Sequence, residues 1–98
     1  MAKGYWMAHV DVQNAEVYKE YVARNGVAFS KFGGRFLVRA GAFEERGQPL
    51  DKSRHVCIEF PSYQAALDCY ASPEYQHALE AQKGAATVSL VIVEGYDG

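Results

Sequence analysis

Long apolar runs, a basic excess and closely spaced cysteines are all missing from this chain of 98 residues. A membrane-spanning helix needs about 20 consecutive apolar residues, and no stretch is that long. Ten basic residues stand against twelve acidic ones, for a net charge of −2, with no basic stripe to neutralise a phosphate backbone. Nucleic acid is therefore not expected as a partner. The two cysteines, Cys57 and Cys69, lack metal-ligand spacing and are too few for a disulfide framework. They are expected to be reduced, packed thiols in a cytoplasmic protein. The start, Met1-Ala2-Lys3-Gly4, carries no basic leader, long apolar core or cleavage site. Proline is scarce too, at three residues, but each one punctuates. Nearly half of the residues are hydrophobic, so one domain over residues 1–98 can bury roughly 60 to 65% of its unfolded surface without staples.

The most legible stretch runs from Glu59 to Leu79. Val56 to Phe60 is rich in β-formers, and Pro61, lacking an amide donor, stops the strand. Ser62 stands where a helix cap would, ahead of Tyr63, Ala66, Leu67 and Tyr70 at helical spacing. Ser72-Pro73-Glu74 repeats the start signal, so the helix breaks and restarts with Tyr75, Ala78, Leu79 and Gln82 inward, to stop at Gly84.

Elsewhere the periodicity predicts a strand from Tyr5 to Val12, with Trp6, Ala8 and Val10 on one face. Asn14 caps a long helix, Ala15 to about Phe32, whose inner stripe includes Tyr18, Tyr21 and Phe29 and which Gly33-Gly34 ends. Strands follow at Arg35 to Ala40, Arg54 to Phe60 and Thr87 to Val93, with a turn at Arg46-Gly47-Gln48-Pro49 whose flanks extend the hairpin. The order is the ferredoxin-like βαββαβ arrangement, an α+β fold with a four-stranded antiparallel sheet and two helical regions on one face. By parity, Phe36, Val38 and Ala40 face the helices. The other face then shows Tyr5, Met7, His9, Leu37, Arg39, His55, Cys57 and Glu59, a patch large enough to call for a partner. A two-fold homodimer through this face is expected, with His9, Leu37, His55 and Cys57 in the seam.

Four segments taken in order, KGYW, FGGRFLVRAG (Phe32 to Gly41), EFPSYQAALDCYASPEYQ (Glu59 to Gln76) and LVIVEGYDG (Leu90 to Gly98), closely resemble the family called domain of unknown function 1330. The resemblance covers nearly the whole chain. It implies a protomer of the dimeric α/β-barrel superfamily, which includes cofactor-independent monooxygenases, muconolactone-type isomerases, dye-decolourising peroxidases and non-enzymatic members. It also implies, in many relatives, an arginine where this chain has Gln82.

Candidate site residues come in three groups. Asn25 lies on the inner stripe of the first helix where an apolar residue is expected, so either it enters a helix-sheet pocket walled by Trp6, Tyr18 and Tyr70, or with Gly26 it satisfies a local backbone irregularity. Arg39 and Glu59 share a face by parity across successive strands. As a pair they would bind a small carboxylate, with Glu59 available for proton transfer, or else fix strand register and partner choice. His9 and His55 on that face are general-base candidates or interface residues. Metal and cofactor are not expected, since the histidines lie on separate elements and Gly33-Gly34 follows a helix instead of opening one; nor is nucleophilic catalysis, since no glycine-flanked serine elbow occurs. These features point to a small homodimer binding an aromatic or carboxylate-bearing molecule, as a cofactor-independent oxygenase or isomerase with Asn25 and Tyr70 orienting the substrate. The alternative is a non-catalytic binding or assembly protein.

Overall fold

A computed structural model describes residues 2–98. Strand β1 is Gly4–Val12, helix α1 Ala15–Lys31, β2 Arg35–Arg39, β3 Arg54–Phe60, α2 Tyr63–Ala71, α3 Pro73–Gln82 and β4 Ala86–Glu94. The sheet order is β2-β3-β1-β4 with every neighbouring pair antiparallel. This is the ferredoxin-like fold, its second helical region divided in two. No helix among the described residues is long and apolar enough to cross a membrane.

The elements begin and end for local reasons. The Asn14 side chain accepts from the Val17 amide at 3.2 Å and opens α1. Gly33, at φ +74°, turns the chain out of that helix. Ser62 accepts from the Ala65 amide at 3.0 Å and opens α2. Ser72 is the last cap of α2 and the first of α3: its Oγ donates to the Cys69 carbonyl at 2.7 Å and accepts from the Tyr75 amide at 3.1 Å. One hydroxyl thus fixes the angle between two helices. Gly4 has a steric role, because a Cβ there would meet the Ser62 carbonyl oxygen at 2.5 Å. Only glycine lets β1 pass this close to the start of α2.

The core lies between the helices and one face of the sheet, and Trp6 is its hub. The indole is 2% exposed, and its Nε1–H donates to the Ala66 carbonyl at 2.9 Å. Phe29 and Tyr75 meet it edge to face at centroid separations of 5.2 and 4.9 Å, and Phe60 lies tilted at 5.5 Å. Such contacts each add about 0.5 to 1.5 kcal/mol beyond buried area.

The β2–β3 register departs from simple alternation. Phe36 pairs with Ile58, but Val38 pairs with Cys57 and Arg39 with Val56, so Leu37 is the extra residue of a β-bulge. Beyond it every side chain changes face. Val38 leaves the helix side for the open side, and Arg39 moves in the opposite direction. The expected Arg39–Glu59 approach is therefore corrected: Glu59 faces Arg35, while Arg39 faces Val56. Parity failed because it assumes an uninterrupted pleat. The hairpin is not extended either, since residues 40–53 carry no strand, and Ala40 at φ +57° ends β2.

Ser72→Ala removes both bonds of the shared cap. Its urea midpoint is expected to fall by the equivalent of about 1 to 2 kcal/mol with an unchanged slope. An unaltered midpoint would show that the junction is held by packing alone.

Candidate functional site

Between α1, α3 and the sheet lies a small cavity of about 40 Å³. Its aromatic walls are Trp6, Tyr18, Tyr21, Phe29, Phe36 and Tyr75, its aliphatic ones include Val22, Val56 and Leu90, and its polar lining is Asn25, Arg39, Arg54 and Gln82. No carboxylate or imidazole lines it. A space of this size holds a compact group or very few waters. Beside it a more open groove of about 250 Å³, lined by Tyr70 and Leu79, shares Tyr75, Gln82, Val88 and Leu90 with the cavity.

Three of the four expected pocket residues, Asn25, Trp6 and Tyr18, line the cavity itself. Tyr70 does not. Its ring packs behind Trp6 and Tyr75, at 5.8 and 5.3 Å, and faces the groove instead. Helix α1 runs unbroken through Asn25 and Gly26, so the position has no backbone irregularity for Asn25 to satisfy. Arg39, turned to this side by the bulge, lines the cavity while remaining exposed, its guanidinium 4.5 Å from the Phe36 ring centre.

Sequence reasoning missed Arg54, Tyr21 and Tyr75 as site residues. Arg54 begins β3 with the same parity as Val56, Ile58 and Phe60, and an arginine in register with an apolar face was the legible signal. Its Nε is shut off from solvent and has no hydrogen-bond partner. Its guanidinium lies 5.8 Å from the Tyr18 ring centre.

The tyrosine hydroxyls form the polar floor. Tyr21 and Tyr75 share a hydrogen bond of 2.7 Å. Burial pushes both hydroxyls above the usual tyrosine range, and the Tyr21 hydroxyl feels opposing, weaker effects from Tyr75 and Asn25. Burial likewise raises Tyr18, against the nearby Arg54 charge. All three hydroxyls stay protonated at neutral pH and act as hydrogen-bonding groups, not bases.

The open face gathers the remaining residues. His9 and His55 are direct cross-strand partners with Nδ1 atoms 2.8 Å apart, and Phe43 lies against the His55 ring at 4.3 Å. Glu59 accepts from the Tyr5 hydroxyl at 2.9 Å and from Arg35 Nε at 2.9 Å. Cys57 is half-buried, and burial followed by the Glu59 charge raises its thiol above the usual range. Cys69 is buried in the core, its thiol pushed up to about 12 by desolvation. Leu37, at the bulge, is exposed. Among the described residues no group of three or more His, Cys, Asp and Glu side chains is arranged to hold a metal ion.

A family model described as a domain of unknown function, DUF1330, matches residues 3–96. No curated protein matches the chain. Among solved structures, a protein of unknown function from Rhodopseudomonas palustris is similar at TM-score 0.79 and 21% identity, over 99% of this chain and 85% of that one. The cofactor-independent oxygenase SnoaB from Streptomyces nogalater is similar at TM-score 0.64 and 16% identity, over 100% and 97%. A dimeric protein of unknown function with a ferredoxin-like fold from Bacteroides fragilis is similar at TM-score 0.58 and 10% identity, over 94% and 95%. At these identities the likeness is one of fold.

Glu59 generates a pH prediction. The Tyr5 hydrogen bond, followed by Arg35, holds its carboxyl below the usual carboxylate range. A depressed value in the folded state means that the stabilisation is present above the unfolded carboxyl value, about 4.3, and is lost as pH falls through the folded value. Wild type should therefore exceed Glu59→Gln in urea midpoint at pH 7, and the gap should close below about pH 4. A gap that stays constant from pH 7 to pH 3 would contradict the assignment.

Proposed function

Because the chain belongs to the DUF1330 family, whose description names no reaction, we propose a function from the site itself: it binds a small organic molecule between helices and sheet, as a homodimer. The observation that carries this reading is an aromatic-walled cavity, lined by Arg54 with its unpaired buried Nε, that adjoins a larger groove. Ligand sites in general combine mostly apolar walls with a few placed polar groups. The cavity takes a compact polar head, and the groove beside Tyr70 and Tyr75 has the scale of a ring or short chain.

An oxygenase reading draws support from the fold shared with SnoaB. In this chain the lining offers no carboxylate or imidazole to take a proton from a substrate, and its tyrosines are neutral. The residues present bind and orient. Any turnover would rest on the reactivity of the bound molecule, so binding is the activity assigned here. Glu59, facing Arg35 and Tyr5 on the open side, serves the sheet and not the ligand.

The dimer reading rests on one cross-strand row. Val91, Met7, Cys57 and Val38 stand opposite one another across β4, β1, β3 and β2. Val91 is 58% exposed, Met7 45% and Val38 46%. A contiguous apolar row across the open face suits a second copy of the same face, and the bulge adds Val38 to it. The His9–His55 pair and Leu37 flank this row. Free Cys57 and Cys69 accord with a reducing compartment, and we place the protein in the cytoplasm.

Two measurements test these statements. In sedimentation velocity at micromolar concentration, wild type should run as a dimer and Val91→Lys as a monomer; a monomeric wild type would refute the seam. In thermal-shift screening with single-ring aromatic molecules, a ligand at 100 times its dissociation constant adds about 2.7 kcal/mol, a rise of many degrees for a chain of this length. Val22→Phe, which fills the cavity, should abolish the rise. If no compound shifts the wild type, or the filled variant responds equally, the pocket reading fails.

A further inference from the structure

Resting on the pocket reading above, we propose that the ligand is a carboxylic acid and that Arg39 and Arg54 together form its anchor. The two arginines occupy diagonal positions on one face of the β2–β3 pair, since Arg39 faces Val56 and Arg54 lies two residues before Val56. Diagonal neighbours of this kind are about 7–8 Å apart, somewhat less at their Cβ atoms, a spacing across which two long side chains can reach one small anion.

Other arginines of the chain are ion-paired, but not these two. Among the described residues Arg24 pairs with Glu20, Arg35 with Glu59 and Arg46 with Glu44, whereas Arg39 and Arg54 take part in none of the ion pairs. The cavity that both line contains no acid. Burial makes the deficit sharper at Arg54, whose Nε is closed off from water with no acceptor. An unpaired buried donor on a charged group is costly, and a bound acceptor removes that cost.

The geometry selects a planar anion over a point charge. A guanidinium presents its donors as a flat fork matched to the two oxygens of a carboxylate. The Arg39 guanidinium lies 4.5 Å from the Phe36 ring centre and that of Arg54 5.8 Å from the Tyr18 ring centre, so each fork has an aromatic neighbour. The space of about 40 Å³ accommodates a group the size of a carboxylate. Gln82 adds a neutral amide at the boundary with the groove, where the body of the acid would lie.

Isothermal titration with benzoate and with benzamide, its neutral counterpart, tests this. Wild type is expected to bind benzoate at least ten-fold more tightly than benzamide. Arg54→Gln and Arg39→Gln should each lose ten-fold or more of the benzoate affinity while keeping benzamide within two-fold. Both variants should still melt cooperatively in the absence of ligand, because neither arginine is ion-paired in the fold; a variant that fails to fold counts against the proposal. Equal binding of the two probes, or benzoate affinity unchanged in both variants, overturns the carboxylate anchor and leaves the pocket standing. If neither probe binds wild type, the anchor and the pocket reading fall together.

Discussion

The packing of Trp6 is the constraint on which the rest of the structure depends. Its indole lies at the centre of the helix-facing side of the sheet, where it touches Phe29 of α1, Phe60 of β3 and Tyr75 of α3. Its single donor is tied to the Ala66 carbonyl of α2. Each of the three helices is thereby positioned against one rigid plane. Gly4 two residues earlier permits the close approach of β1 to α2, and Ser72 sets the angle at which α3 leaves. The cavity is what remains beside the indole, where α1 contributes Tyr18, Val22 and Asn25 along with Phe29.

A single inserted residue links the two faces of the sheet. Without the bulge at Leu37, Val38 would point at the helices and Arg39 at the open face. With it, an apolar side chain joins the row containing Met7 and Val91, and an exposed arginine comes to line the aromatic cavity. Bulges of this kind re-aim side chains at functional sites. Here one local irregularity serves both the surface assigned to a second copy and the site assigned to a ligand.

The fold was legible because its punctuation is local. Asn14, Pro61, Ser62, Ser72-Pro73 and Gly33 act within a turn of their own positions, and each boundary lies within two residues of its expected place. The site was less legible. Asn25, Trp6 and Tyr18 follow from helical and strand periodicity, so they emerged in the cavity. Arg39 did not, because a bulge depends on pairing with a distant strand and has no signature in a run such as Arg35 to Arg39. Tyr70 was misplaced for a related reason: periodicity gives the face of a helix but not which of two adjoining hollows a half-buried ring will border. Arg54 was within reach, as a charge in phase with an apolar strand face.

Two arginines without acid partners, Arg54 part-buried and Arg39 exposed, line the aromatic cavity and are proposed to hold a carboxylate. A crystal structure of the protein grown with benzoate tests it most directly. Carboxylate oxygens are expected within about 3 Å of the guanidinium nitrogens of both Arg39 and Arg54, with the ring toward Tyr70 and Tyr75. Benzoate seated only outside this cavity, or a cavity that excludes it at saturating concentration, would contradict the account.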